Sequence, residues 1–152
     1  MFNRLIATNP YDKVATLLRI TLGLVIFPHG AQKVLGWFGG HGFEGTMGFF
    51  TGTMGIPAVF AFLAILAEFA GSLGLLAGLL TRVAAFGIAV TMAVAIFMVH
   101  LSNGFFMNWG GTQKGEGFEY HLLVLGIAVA VMIRGAGAAS VDAKLMDSKA
   151  LK

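Results

Sequence analysis

Seven side chains able to carry charge or move a proton stand inside or beside long apolar stretches: Arg19, His29, Lys33, Glu68, His100, Glu119 and His121. An ionisable group in such surroundings is costly to keep, so each is a functional candidate. His29 and Lys33 are four residues apart and share one face if their stretch is helical. Pro28, just before His29, frees a backbone carbonyl one turn earlier and favours a kink beside the imidazole. Imidazole, ammonium and carboxylate together can hydrogen-bond the oxygens of a polar ligand and exchange protons with it. Glu68 and His29 are the candidates for acid–base chemistry. His29, Lys33, Glu68, His100 and His121 are the candidates for holding a cofactor. No pair has strong metal-ligand spacing, and Glu119 and His121, two apart, point to different sides of a helix, so no metal is predicted. The chain has no Cys, which removes thiolate ligands and dithiol redox cycling.

The elements that must position these residues are membrane helices. Hydrophobic residues make up 57% of the 152-residue chain and charged residues 11%, against about 25% charged in soluble domains. That composition suits lipid, and a net charge of +3 is too small to suggest nucleic acid. Apolar stretches run over about residues 14–38, 57–80, 83–101 and 120–137. Each is near the ~20 residues that cross a bilayer. Backbone in lipid must satisfy its own hydrogen bonds, which predicts helices, and the alternation of β-barrel strands is missing. The expected fold is all-α: one antiparallel bundle of four transmembrane helices, with a short polar tail over residues 138–152. The first stretch is longer than a signal-peptide core and reads as a span.

The connections differ. Only Thr81 and Arg82 separate the second and third stretches, which predicts a tight hairpin. Gly39 to Ile56 is rich in Gly and Phe and reads as an interfacial segment, with Phe43, Phe49 and Phe50 touching lipid. Ser102 to Phe118 carries Phe105, Phe106 and Trp109, which with Trp37 and Tyr120 resemble an aromatic belt. Gly71, Gly74 and Gly78 fit close helix approach. Arg4, Lys13, Arg82, Arg134, Lys144, Lys149 and Lys152 fall on one side, and Lys33 and Lys114 on the other. The positive-inside rule then places both termini in the cytoplasm. Counting depth at about 1.5 Å per residue, His29 and Glu68 fall at similar levels in the outer half and are expected to meet directly or through one water. Arg19 lies nearer the cytoplasm, with a structural role as the simpler reading and a pairing with Glu68 as the alternative.

The run HGAQKVLGWFGG from His29, followed by EFAGSLGLLAGLLTRVAA from Glu68, resembles the DoxX family of small bacterial membrane proteins. The likeness extends from about Tyr11 to Gly137 and includes the Arg early in the first span and the Glu119–Tyr120–His121 opening of the fourth. It implies a multi-pass protein of the bacterial cytoplasmic membrane and at most a subunit of a membrane oxidoreductase. The family's association with quinone-linked enzymes suggests quinone as the ligand, held by a polar pocket in the outer half of the bundle. A protein partner or homo-oligomer would then join the lipid bilayer among its contacts. The residues also admit a non-catalytic scaffold subunit of a larger complex, or an oligomeric proton-linked carrier of a small solute.

Overall fold

A computed structural model describes residues 2–150, with side chains from residue 3 to residue 147. Lys152 and the Lys149 side chain, both used to assign orientation, lie outside the described residues. The described chain is all helical. A single turn, α1 (Phe2–Leu5), precedes α2 (Lys13–Leu35); α3 (Gly42–Gly48) runs into a π-helical turn (Phe49–Thr53). Then come α4 (Ala58–Ala77), α5 (Thr81–Ala95), α6 (Glu119–Arg134) and α7 (Val141–Ala150). α5 continues through a π turn (Ile96–His100) and a 3-10 turn (Leu101–Asn103).

The long helices begin and end where side chains can close them. Asp12 caps α2, its carboxylate accepting from Ala15 N at 2.9 Å. α2 ends at Gly36 in the left-handed region. α4 ends at Gly78, also left-handed, so the hairpin turn falls on Gly78 to Leu80 and Thr81 already belongs to α5. The sequence predicts that turn at Thr81 and Arg82. It shifts because Asp142, from the tail, takes the first amides of α5: Leu80 N at 2.8 Å and Thr81 N at 3.0 Å. The tail is therefore an integral part of the fold and not a loose polar end.

α2, α4, α5 and α6 pack around a core of Leu22, Ile26, Leu75, Ile88, Met92, Val124 and Val131. Their outward faces are apolar as well, with Leu17, Phe60, Phe86, Phe97, Leu123 and Ile133 each at least 60% exposed, as expected of surfaces that meet lipid. Among the described residues, three helices are long and apolar enough to cross a membrane: Lys13–Leu35, Ala58–Ala77 and Thr81–Asn103. α6, with 16 residues, reaches only about 24 Å at ~1.5 Å per residue, so it is short of that length.

The closest approach joins α2 to α4. A Cβ on Gly30 would stand 2.6 Å from the Cα of Phe69, closer than atoms can come. Only glycine lets the two backbones meet at this level. The tight contact is thus made by Gly30, one residue after His29, and not chiefly by Gly71 and Gly74, whose added Cβ atoms would meet neighbours at 3.7 Å and 3.0 Å. One end of the bundle carries the two long connections and is called here the loop end. The opposite, terminal end carries the hairpin turn, α1 and α7.

Candidate functional site at the loop end

Gly30 brings the last turn of α2 onto α4, and there the Lys33 ammonium meets the Glu68 carboxylate at 2.5 Å. Glu68 is 4% exposed and Lys33 is half-buried. Lys33 Nζ also lies 3.4 Å from the backbone oxygen of His29, one turn back. The partner of Glu68 is therefore Lys33. No direct hydrogen bond joins Glu68 to His29 or to Arg19 among the described residues, which corrects the pairing with Arg19 and the direct form of the contact with His29. His29 is on the correct helix and turn, but its ring turns toward α6 and stands 6.1 Å from the ring of Tyr120. Its side chain is exposed on the surface between those helices.

From Tyr120 a column of rings crosses the loop end. The ring centroids of Tyr120 and His121 are 5.4 Å apart, and those of His121 and His100 are 4.0 Å apart. His100 comes from the π turn that extends α5, a local widening of the helix often found at functional sites. Its Nδ1 lies 2.8 Å from the backbone oxygen of Glu116. A carbonyl only accepts, so Nδ1 carries the hydrogen and a neutral His100 has Nε2 as its free acceptor. Tyr120 Oη and His121 Nδ1 are buried with no hydrogen-bond partner among the described residues. Buried polar atoms are rarely left so. Five predicted residues, His29, Lys33, Glu68, His100 and His121, therefore gather at one end on four different elements. Glu119 stands apart: its carboxylate accepts from Met107 N at 2.9 Å and fastens the loop.

Arg19 belongs to the other end. It is 1% exposed, and its guanidinium donates to five backbone oxygens: Ala136 at 2.7 Å, Leu75 and Ala139 at 2.8 Å, Leu76 at 2.9 Å and Ala138 at 3.1 Å. A guanidinium has five N–H groups, so none remains for a carboxylate. The reason is position: the end of α4 and the turn before α7 point their carbonyls at this one side chain. Among the described residues, only Leu75 O and Ala138 O also accept from elsewhere, from Gly78 N and Thr16 Oγ1.

Two features had no signal that singled them out. Tyr120 reads in the sequence as one more belt aromatic, yet its hydroxyl is buried. The connection after α2 also folds back, so that a cleft of about 280 Å³ opens beside Lys33, lined by Gln32, His41, Thr46, Phe49 and Phe50. Phe49 and Phe50, which the sequence places against lipid, thus also line this cleft, and Phe49 keeps half its surface exposed.

Comparison with known proteins covers most of this geometry. The DoxX family profile matches residues 14–101, which include His29, Lys33, Glu68 and His100 and stop before Tyr120 and His121. The chain is also 33% identical over 115 residues to "Putative oxidoreductase CatD" of Bacillus subtilis (strain 168), a match covering 76% of this chain and 75% of that protein. No solved structure matches. On the extent of the family match and the identity to that relative, the chain belongs to the DoxX family.

Proposed function

We propose that this chain is the quinone-interacting subunit of a redox system in the bacterial cytoplasmic membrane, with its site at the loop end. The observation that carries the reading is the set of uncommitted proton donors and acceptors beside a buried ion pair in a lipid-facing bundle. The name of the CatD relative supports the same class of chemistry. The donor set fits a quinone: Lys33 donates and Glu68 accepts or exchanges a proton, and Tyr120 and the histidine nitrogens add further donors and acceptors at the same end. A bound quinone supplies an acceptor for two electrons and two protons. Lys33 orients an oxygen of such a ligand, and Glu68 holds or releases a proton at its carboxylate. His29, exposed between α2 and α6, meets molecules arriving from the bilayer. With no Cys in the chain, we assign the supply of electrons to a protein partner.

In this reading α6 is a fourth span whose shortness is made up by the turns flanking it, and both termini are cytoplasmic. A reporter active only outside the cytoplasm is then silent when fused after Lys152 and active when inserted near Thr112; the reverse result inverts the site. The test of function itself is extraction with a mild detergent followed by quinone analysis of the purified protein. Quinone should be retained in proportion to protein, and markedly less by Glu68→Gln. Protein that carries no quinone, and takes none up when it is added, would remove the reading.

A further inference from the structure

The cleft beside Lys33 is built, not incidental. Gly40 seats its first wall, because a Cβ there would stand 2.2 Å from the backbone oxygen of Gln32. The Gln32 side chain locks the same turn by donating Nε2 to Phe38 O at 3.2 Å, which leaves its amide oxygen as an acceptor. The lining of the cleft is mixed: the rings of Phe49 and Phe50 stand among the polar groups of Gln32, Lys33, His41 and Thr46.

We infer that this cleft seats the ring of the quinone, with its oxygens toward Lys33 and His41; the inference rests on the function proposed above. Size selects a single ring. About 280 Å³ is just under the ~300 Å³ at which ordinary small-molecule pockets begin, so the prenyl tail stays outside in lipid. Charge selects against an anion, since a phosphate or carboxylate beside Lys33 also meets Glu68, 2.5 Å from the ammonium. A neutral ring with oxygen on its edge satisfies both the aromatic and the polar part of the lining. An ammonium has three N–H groups. Two of them are turned to Glu68 at 2.5 Å and His29 O at 3.4 Å, and the third is left for a ring oxygen. The amide oxygen of Gln32 accepts from the hydroxyl of the reduced form. His41, exposed and at the rim, covers the other edge.

The experiment uses the full chain in detergent or nanodiscs with a decyl-substituted benzoquinone as the probe. Trp109→Phe leaves Trp37, at the start of the connection, as the one tryptophan whose fluorescence the probe quenches. Phe49→Ala should weaken binding about tenfold, the loss of one good aromatic contact. His41→Gln should weaken it severalfold. Phe49 is 50% exposed, so the melting temperature should hold, and His41→Gln carries the test if it does not. Binding that ignores both cleft variants but falls in Tyr120→Phe or His121→Asn moves the ring to the surface between α2 and α6. That result overturns the cleft and keeps the function. No binding to any form of the protein overturns both.

Discussion

The two ends of this bundle treat buried polar groups in opposite ways. At the terminal end they are committed almost without remainder. Arg19 serves five carbonyls, Asp142 takes two amides, and Arg82 donates to Ala7 O and to Met132 O. Thr81 Oγ1 is the exception there. At the loop end Tyr120 Oη and His121 Nδ1 are buried without partners among the described residues, and a cleft opens beside the Lys33–Glu68 pair. A satisfied cluster fixes a fold, whereas an unsatisfied one leaves hydrogen-bonding capacity for something else. The difference supports the proposed division, with stability at one end and ligand chemistry at the other.

The strongest way to break that division is Arg19→Gln. Several buried carbonyls lose their donors at once, each worth roughly 1 kcal/mol or more, so destabilisation of at least about 3 kcal/mol is expected. Thermal melting in detergent should show it, and an unchanged melting temperature would mean the terminal end does not hold the fold. Asp142→Asn should come next, at roughly 1.5–3 kcal/mol for bonds to a charged acceptor. Asn keeps one of the two acceptors and turns an N–H group toward the other amide. If Asp142→Asn melts like the unaltered chain, the tail rests on the bundle without fastening it.

Why one end could be read from the sequence and the other only in part follows from where the interactions come from. His29 and Lys33 announced themselves by type, spacing and setting, and Glu68 by standing alone in an apolar run. Which of them Glu68 would meet depends on how Gly30 docks on Phe69, a distance no helical count contains. The partners of Arg19 are backbone oxygens, which carry no residue identity at all. Asp142 sits in a polar segment with little apolar face to announce a helix, and its role exists only once the hairpin turn is beside it. The cleft depends on left-handed Gly36 and on Gly39 turning the chain back over α2, where composition alone suggests an interfacial stretch.

Glu68→Gln tests the loop end with a smaller effect on stability. It would cost about 3–5 kcal/mol if a fully buried partner were stranded. Lys33, however, keeps 22% of its side chain exposed and can turn its ammonium into the cleft. A cost of about 1 kcal/mol or less is therefore expected, while quinone retention falls sharply. Adding Lys33→Gln should change melting little. A large loss of stability in Glu68→Gln, rescued by Lys33→Gln, would make this pair as structural as Arg19 and erase the contrast between the ends.

The smallest effect is expected where the terminal end meets water. Asp12 pairs with Arg134 at 2.6 Å, and the Arg134 side chain is 48% exposed. The backbone N–H of Ala15, followed by the Arg134 guanidinium, holds the Asp12 carboxyl below its ordinary value of 3.8, against the opposing effect of burial. A depressed folded-state pKa means stability that is present above 3.8 and lost as pH falls below it. Other carboxylates titrate in the same range, so the quantity to follow is the difference in melting temperature between the unaltered chain and Asp12→Asn. Asn retains the cap to Ala15 but not the ion pair. The difference should be small and constant near neutral pH, shrink as pH drops below 3.8, and diminish with added salt, because an exposed pair is screened. A difference that instead grows on acidification would show that Asp12 is held protonated in the fold. The ion pair with Arg134 would then contribute nothing to closing the terminal end.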